Sequence, residues 1–540
     1  MDSTALWDSA SDPEVPMQAA DWILWNARIY TQDPEQPWVE ALAVVGETIA
    51  AMGPMEAVRA WRGPRTRILD LKGATVLPGL IDAHLHLEGC ARLRMGVDVD
   101  TPTLEEALAR VARQAAARLP GEWIIGRGWL QERWGRFPTA DDLDQVAPAH
   151  PVALWARSGH ALWANREAMR RAGVTRDTPD PPGGRIARDA AGEPTGLFFE
   201  RAIDLVAQAT PEPSTEELAE ALYEALHDLA ALGLTGVHNF DGPRSFAALQ
   251  ILHARGDLPI RVVQHIPLSA LDHALAIGLR SGFGDAWLRI GSVKIFADGA
   301  LGPRTAWMLE PYQGEPENTG IAYTPPEVMR EAAHRATLGG LSLAVHAIGD
   351  RANWEVLDLF EAMRTLEAQL GIPPEARRHR IEHAQLVHPA DIPRFGATRI
   401  VASMQPIHAV SDRPMAERYW GSRCATAYAW RSLKEAGARL AFGSDAPVEP
   451  PNPWWGLHAA VVRDGWYPEQ ALRLAEALEA YTVGPAWAAG LERWQGRLRP
   501  GVWADLLVLP EDPFRSPPDV LRDLEVLGTM VGGRWVFRRR

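Results

Sequence analysis

The order of strand-like and helical runs in the 540-residue chain predicts an α/β protein. It is a (β/α)8 TIM-like barrel with a large insertion after strand 1, joined to a small β-sandwich built from both ends of the chain. Three observations carry this prediction. Eight β-rich runs recur through the middle of the chain, with helical runs between most of them. One connection, after the first of these strands, exceeds 100 residues. The two chain ends consist of short β-rich runs unlike the middle.

At the amino end, "DWILWNARIYT", "ALAVVGETIAAMG" and "TRILDLKGATVLPG" are short β-rich runs broken by glycine and charged turns. The carboxyl end matches them with "GRLRPGVWADLLVLPEDP" and "VLGTMVGGRWVFRR". Residues 1–77 and 492–540 are therefore assigned to one β-sandwich, and 78–491 to the barrel. The barrel strands are "GLIDAHLHL", "GLTGVHNF", "IRVVQHIPL", "RIGSVKIFA", "LSLAVHAIG", "HRIEHAQLV", "RIVASMQPI" and "ARLAFGSDA". Intervening runs such as "STEELAEALYEALHDLAALG" repeat their apolar residues at helical spacing. The stretch 88–213 is too long for a plain loop in a compact domain. It is expected to form a subdomain over the barrel mouth.

Composition narrows the function. With 46% apolar and 23% charged residues the chain reads as an ordinary globular protein. Its net charge of -14 argues against nucleic acid and against an anionic membrane, since both need a basic face. Cys90 and Cys424 are too few for a disulfide framework. No basic, then apolar, leader opens the chain, and no run of apolar residues is long enough to span a bilayer. A cytoplasmic enzyme acting on a small molecule is expected, with a homo-oligomer left open.

Active-site groups of such a barrel lie at the carboxyl ends of its strands. His84 and His86 end the first strand as an H-x-H pair, and residues two apart on a strand share a face. Alone, the pair is as readily two exposed strand histidines. His346, His383 and Asp445 stand at the ends of three further strands, which makes a common cation site the better account. Nitrogen ligands with one carboxylate and no thiolate suit Zn2+, ahead of Mn2+, Fe2+ or Co2+. Lys294 poses a separate question, because "GSVKIFADGAL" puts an ammonium inside an apolar strand. Such a lysine must shift its pKa, pair with a carboxylate such as Asp298, or extend its head to water.

"PGLIDAHLHLEG", the strand-four lysine, "VHAIGD", "RIEHAQ" and "FGSDAPVEPPNPWWGL" together resemble the amidohydrolase superfamily. The likeness is to its family 3 branch, which includes N-substituted formamide deformylase. It covers nearly the whole chain. The resemblance implies two zinc ions per chain, one held by His84, His86 and Asp445 and the other by His346 and His383. It further implies that Lys294 carries a CO2-derived carbamate bridging them. The implied chemistry is hydrolysis of a non-peptide C–N amide bond by metal-activated hydroxide, with Asp445 as general acid and base. A mononuclear deaminase or a cyclic amide or ureide hydrolase of the same fold is the alternative. A non-catalytic assembly protein is a third, disfavoured because every expected ligand is present.

Residues expected to bind substrate surround this set. Gln405 and His408 follow strand seven, and Asp298 and Arg304 follow Lys294, where they can order it or the substrate. His160, in "RSGHALWAN", is similar to the segment this branch carries over the site. The chain holds 22 tryptophans, several of them in the insertion. Trp129 and Trp155 are taken to line a pocket for a bulky apolar substituent.

Overall fold

The eight barrel strands follow one another in register in the computed structural model, which describes residues 19–156 and 161–539. They are β1 (Leu80–Leu85), β2 (Leu234–Asn239), β3 (Arg261–Pro267) and β4 (Leu288–Phe296). The series continues with β5 (Leu343–Ala347), β6 (Arg380–His383), β7 (Val401–Met404) and β8 (Arg439–Phe442). Every neighbouring pair from β1 to β8 is parallel. The ring is nearly closed. Between β8 and β1 the last step is made just beyond the strand ends, by Asp445 N–H to His84 O and His86 N–H to Ala446 O, both 2.7 Å. The Asp82 carboxylate also accepts the amides of His84 (3.0 Å) and Ser444 (3.1 Å). The seam therefore fixes the backbone of His84, His86 and Asp445 together.

β1 is buried at all six positions, as parallel strands covered on both faces must be. The covering helices start and stop by ordinary means. Pro243–Arg255 and Pro326–Gly339 begin on proline, whose fixed φ suits the first turn. They end on Gly256 (φ 73°) and Gly340 (φ 86°), a left-handed cap that costs glycine nothing.

Contacts divide the chain into two compact units, Met1–Leu87 with Leu226–Arg540, and Glu88–Ala225. In the first unit two further sheets share one core. Leu24, Leu42, Val44 and Ile49 come from the sheet that includes Trp22–Trp25 and Ala41–Val45. Ile29, Val76, Leu506, Val508 and Met530 come from the sheet that joins both chain ends. There Leu506–Leu509 pairs antiparallel with Thr75–Pro78. A buried ion pair ties this layer to the barrel. Arg261 of β3 gives two bonds to Asp505 (2.8 and 3.0 Å) and lies 3.8 Å from the Trp503 ring centroid. Losing one partner of such a pair costs about 3–5 kcal/mol.

The second unit contains a six-stranded sheet of its own, ordered Gly184–Arg188, Pro194–Glu200, Ala161–Ala164, Val152–Ala156, Ile124–Trp129, Val97–Asp98. Apolar residues bury both faces. Val99, Leu104, Val111, Leu143 and Trp163 form one cluster, and Trp123, Leu162, Phe198 and Val206 another. Among the described residues no helix is long and apolar enough to cross a membrane.

Candidate metal centre

His84, on β1, is 1% exposed, and its Nδ1 donates to Glu382 Oε2 at 2.7 Å. Glu382 is held in turn by Arg380, which also donates to Ala83 O and Ser403 Oγ and reaches His238 Nδ1 at 2.8 Å. That leaves His84 Nε2 directed at Asp445 Oδ1, 3.5 Å away. His86 is built the same way. Its Nδ1 donates to Asp241 Oδ1 (3.1 Å), and its Nε2 lies 3.5 Å from Asp445 Oδ1. His383 donates from Nδ1 to Gln405 Oε1 at 2.9 Å. His346 is the mirror case, donating from Nε2 to Gly299 O at 2.8 Å.

His84, His346 and His383 thus each have one nitrogen anchored on an acceptor and the other left as a lone-pair donor, whereas His86 lies between the carboxylates of Asp241 and Asp445, which outweigh burial and raise its pKa to about 9. Metal-binding histidines are held in this way, because the anchor fixes both tautomer and ring direction. The rings also converge. Centroids of His84 and His86 are 5.7 Å apart, those of His84 and His383 5.0 Å, and those of His346 and His383 4.5 Å. Donor atoms of His84, His86 and Asp445 fall within 4.8 Å of one another, as do those of His383, His408 and Asp445. The donor set fits a divalent cation of the zinc type.

Electrostatics agrees for three of the four histidines. Burial, with the Lys294 charge second, lowers the His84 pKa to about 4 and the His346 pKa to about 3, and burial holds His383 well below its usual range. These rings are neutral and able to donate to a cation. Burial alone would raise the Asp445 carboxyl, but hydrogen bonds from His408 and His86 outweigh it and hold the group ionised. In His408 burial is outweighed by Asp445 and Glu449, which raise its pKa to about 10. His408 Nε2 lies 3.3 Å from Asp445 Oδ2, so it steadies the carboxylate. His383 (φ 72°) and Asp445 (φ 60°) both adopt left-handed backbone, the kind of local strain that collects at functional sites.

Lys294 is 4% exposed, with Nζ 4.6 Å from the Phe240 centroid and 4.8 Å from that of Phe296. Burial brings its pKa down to about 8, against the pull of Glu382 and Asp445. The pairing with Asp298 does not form. The chain turns after Phe296, and the Asp298 carboxylate accepts the amides of Trp307 (2.9 Å), Ile348 (3.0 Å) and Gly349 (2.8 Å). With its acceptors used and its side chain fully buried, Asp298 orders the loop after β4 and has no face for substrate. Arg304 is engaged elsewhere, paired with Glu315 and lying over Tyr419.

Gln405 and His408 do lie among the cluster, although the Gln405 carbonyl is engaged by His383. Trp129 does not serve as a pocket wall. It is 1% exposed in the insertion's own core, with its indole N–H donated to Leu154 O at 2.8 Å. Trp155 is half-buried against the second cluster of that unit. His160 lies outside the described residues. Sequence reasoning missed Glu382, Arg380, Asp241 and the Gly299 carbonyl. The one signal available was "RIEH", a buried strand carrying two opposite charges two residues apart.

Glu382→Gln tests the anchoring directly. The amide loses the charge that Arg380 and His84 share, and metal affinity is expected to fall by roughly 10–100-fold, the usual cost of removing such a partner. Metal titration of the variant followed by calorimetry measures it, and unchanged affinity would remove Glu382 from the site's design.

An eight-stranded parallel barrel with imidazoles and a carboxylate converging at its strand ends belongs to the class of metal-dependent hydrolases. Comparison makes the class specific: the chain belongs to the amidohydrolase family, whose model matches residues 67–537, and to its family 3 branch. It is 35% identical over 537 residues to the putative amidohydrolase YtcJ of Bacillus subtilis, covering 96% of this chain and 99% of that one. It is 32% identical over 549 residues to the N-substituted formamide deformylase of Arthrobacter pascens, covering 97% and 99%. An uncharacterized metal-dependent hydrolase from Pyrococcus furiosus superposes with a TM-score of 0.78 at 31% identity, over 92% of this chain and 100% of that one. The protein is accordingly a hydrolytic enzyme acting on C–N bonds.

Proposed function

We propose that the enzyme hydrolyses a small N-substituted amide or formamide at a two-zinc centre. His84, His86 and Asp445 would hold one ion and His346 and His383 the other, with a carbamate on Lys294 between them. When bound, the ions supply a Lewis acid for the substrate carbonyl and make a water acidic enough to ionise near neutral pH. Support comes chiefly from the four imidazoles, each pinned through one ring nitrogen, whose rings converge with Asp445 at the strand ends.

The protein's own groups carry the proton. Asp445 is ionised and takes the proton from the attacking water. It then gives that proton to the departing amine, which is a poor leaving group until protonated. His408, cationic beside it, keeps the carboxylate oriented and discourages it from taking a proton elsewhere. Lys294 is buried enough to be partly neutral near pH 8, and a neutral amine adds to CO2 with release of a proton.

The test is metal analysis combined with a hydrolysis screen of N-substituted formamides, N-acyl amino acids and cyclic ureides. Two metals per chain with preferred turnover of formamides is expected. One metal with base deamination would replace this reading by the mononuclear one, and a preference for N-acyl glutamate would overturn the substrate class.

A further inference from the structure

The face of β4 that carries Lys294 does not end there. Residues two apart on a strand point the same way, so Ser292, Lys294 and Phe296 form one inward column that rises toward the carboxyl end. Ser292 and Lys294 are buried, whereas Phe296 is 41% exposed. Its ring centroid is 5.2 Å from that of His346, with Lys294 Nζ 4.8 Å from it, so part of its surface is against the candidate centre. Tyr323 continues the surface outward at 5.8 Å and is 66% exposed. Two large, adjoining aromatic rings left open beside a buried reactive centre are the usual material of a specificity pocket.

The second ring is held firmly. Tyr323 N–H donates to Ala297 O at 2.8 Å, and Asp298 bridges antiparallel to Ala322. Asp298 meanwhile grips Trp307, Ile348 and Gly349. Tyr323 thus sits on a tied loop, so little ordering entropy is lost when something packs on it. The loop also has a sign. Between residues 297 and 325 its sole cation is Arg304, paired with Glu315, against the carboxylates of Asp298, Glu310, Glu315 and Glu317. An acidic substituent finds no counter-charge on this loop.

We infer that Phe296 and Tyr323 form the wall that receives the substrate's nitrogen substituent, and that this substituent is uncharged and aromatic or bulky apolar. The inference rests on the amide-hydrolase reading above and names the part of that site which selects substrate. It moves the selecting surface from the insertion's tryptophans to the loop after β4.

The experiment measures binding of N-benzylacetamide and of N-acetylglycine to the metal-loaded enzyme by calorimetry, in the parent, Phe296→Ala, Phe296→Leu and Tyr323→Ala. Metal content is measured in each. N-benzylacetamide is expected to bind the parent more tightly than N-acetylglycine. Its affinity should fall roughly tenfold in each alanine variant, the scale of removing one apolar contact surface, and by less in Phe296→Leu. If Phe296→Ala also loses metal, Tyr323→Ala decides, because Tyr323 is largely exposed and, among the described residues, has its ring contact with Phe296 and none with the histidines. No binding of the benzyl probe to the parent, or affinities within twofold in both alanine variants, would overturn the wall. Parallel turnover of N-benzylformamide separates the two readings. Binding that depends on both rings without any turnover sinks the proposed reaction and leaves the wall standing.

Discussion

Asp445→Asn is expected to fold normally and to lose on the order of 10²–10⁴-fold in kcat, the usual contribution of a positioned acid–base group. Asparagine tolerates the left-handed backbone that this position adopts (φ 60°), so the substitution adds no strain. The backbone bond from residue 445 to His84 O is untouched. What changes is the carboxylate. An amide cannot take the proton from the attacking water, and its NH2 group meets His86 and His408, which are themselves donors. Circular dichroism and a thermal melt establish the fold, and single-turnover kinetics measure the chemistry. Activity within a factor of about ten of the parent would take Asp445 out of the mechanism.

The parts of this site legible in the sequence are those whose signal is local. The β1 pair is an i, i+2 motif, and the other ligand-type residues each end a strand that stands out by β-rich composition, so strand order alone collects them. Lys294 was conspicuous because burial and charge conflict within one short run. The anchors were not legible, because they are relations between strands. Glu382 meets His84 across 298 residues, and Asp241 meets His86 across 155. Gly299 contributes a backbone carbonyl, which no side chain announces.

The errors have the same origin. Asp298, expected to order Lys294 or the substrate, follows that lysine by four residues, a spacing that on a helix would bring them together. Here the strand ends at Phe296 and the carboxylate turns to the loop's amides. Trp129 was assigned to a pocket on residue type alone, yet a tryptophan fills a core as readily as it lines a cleft, and only burial tells the two apart. Phe296, part of the wall inferred above, carries no such signal in the sequence, because a phenylalanine at a strand end looks like core. Its exposure is a property of the barrel mouth.

Lys294→Ala is expected to cost the second metal ion and nearly all activity, roughly 10²–10³-fold or more, the scale of removing one group that stabilises charge at the reacting carbonyl. Left as an ammonium, this lysine is poorly served. Two aromatic rings face it, and among the described residues no carboxylate lies within ion-pairing distance. Its pKa is lowered to about 8, chiefly by burial, so the sign of the linkage is fixed. Below pH 8 the folded protein carries a buried cation that destabilises it, and that penalty is relieved as pH rises from about 8 toward the unfolded value of 10.5. A carbamate removes the conflict another way, since it converts the cation into an anion among cation-binding groups. If Lys294 is carboxylated, acetate or propionate added to Lys294→Ala should restore part of both metal content and rate, because a free carboxylate can occupy the space a carbamate would leave. A parent enzyme supplied with 13C-bicarbonate should show a carbamate carbon by NMR that disappears in the variant. A bare ammonium in crystals grown at high bicarbonate with two metals bound, or a variant that carboxylic acids do not rescue at all, would leave Lys294 as a structural lysine and the centre without its bridge.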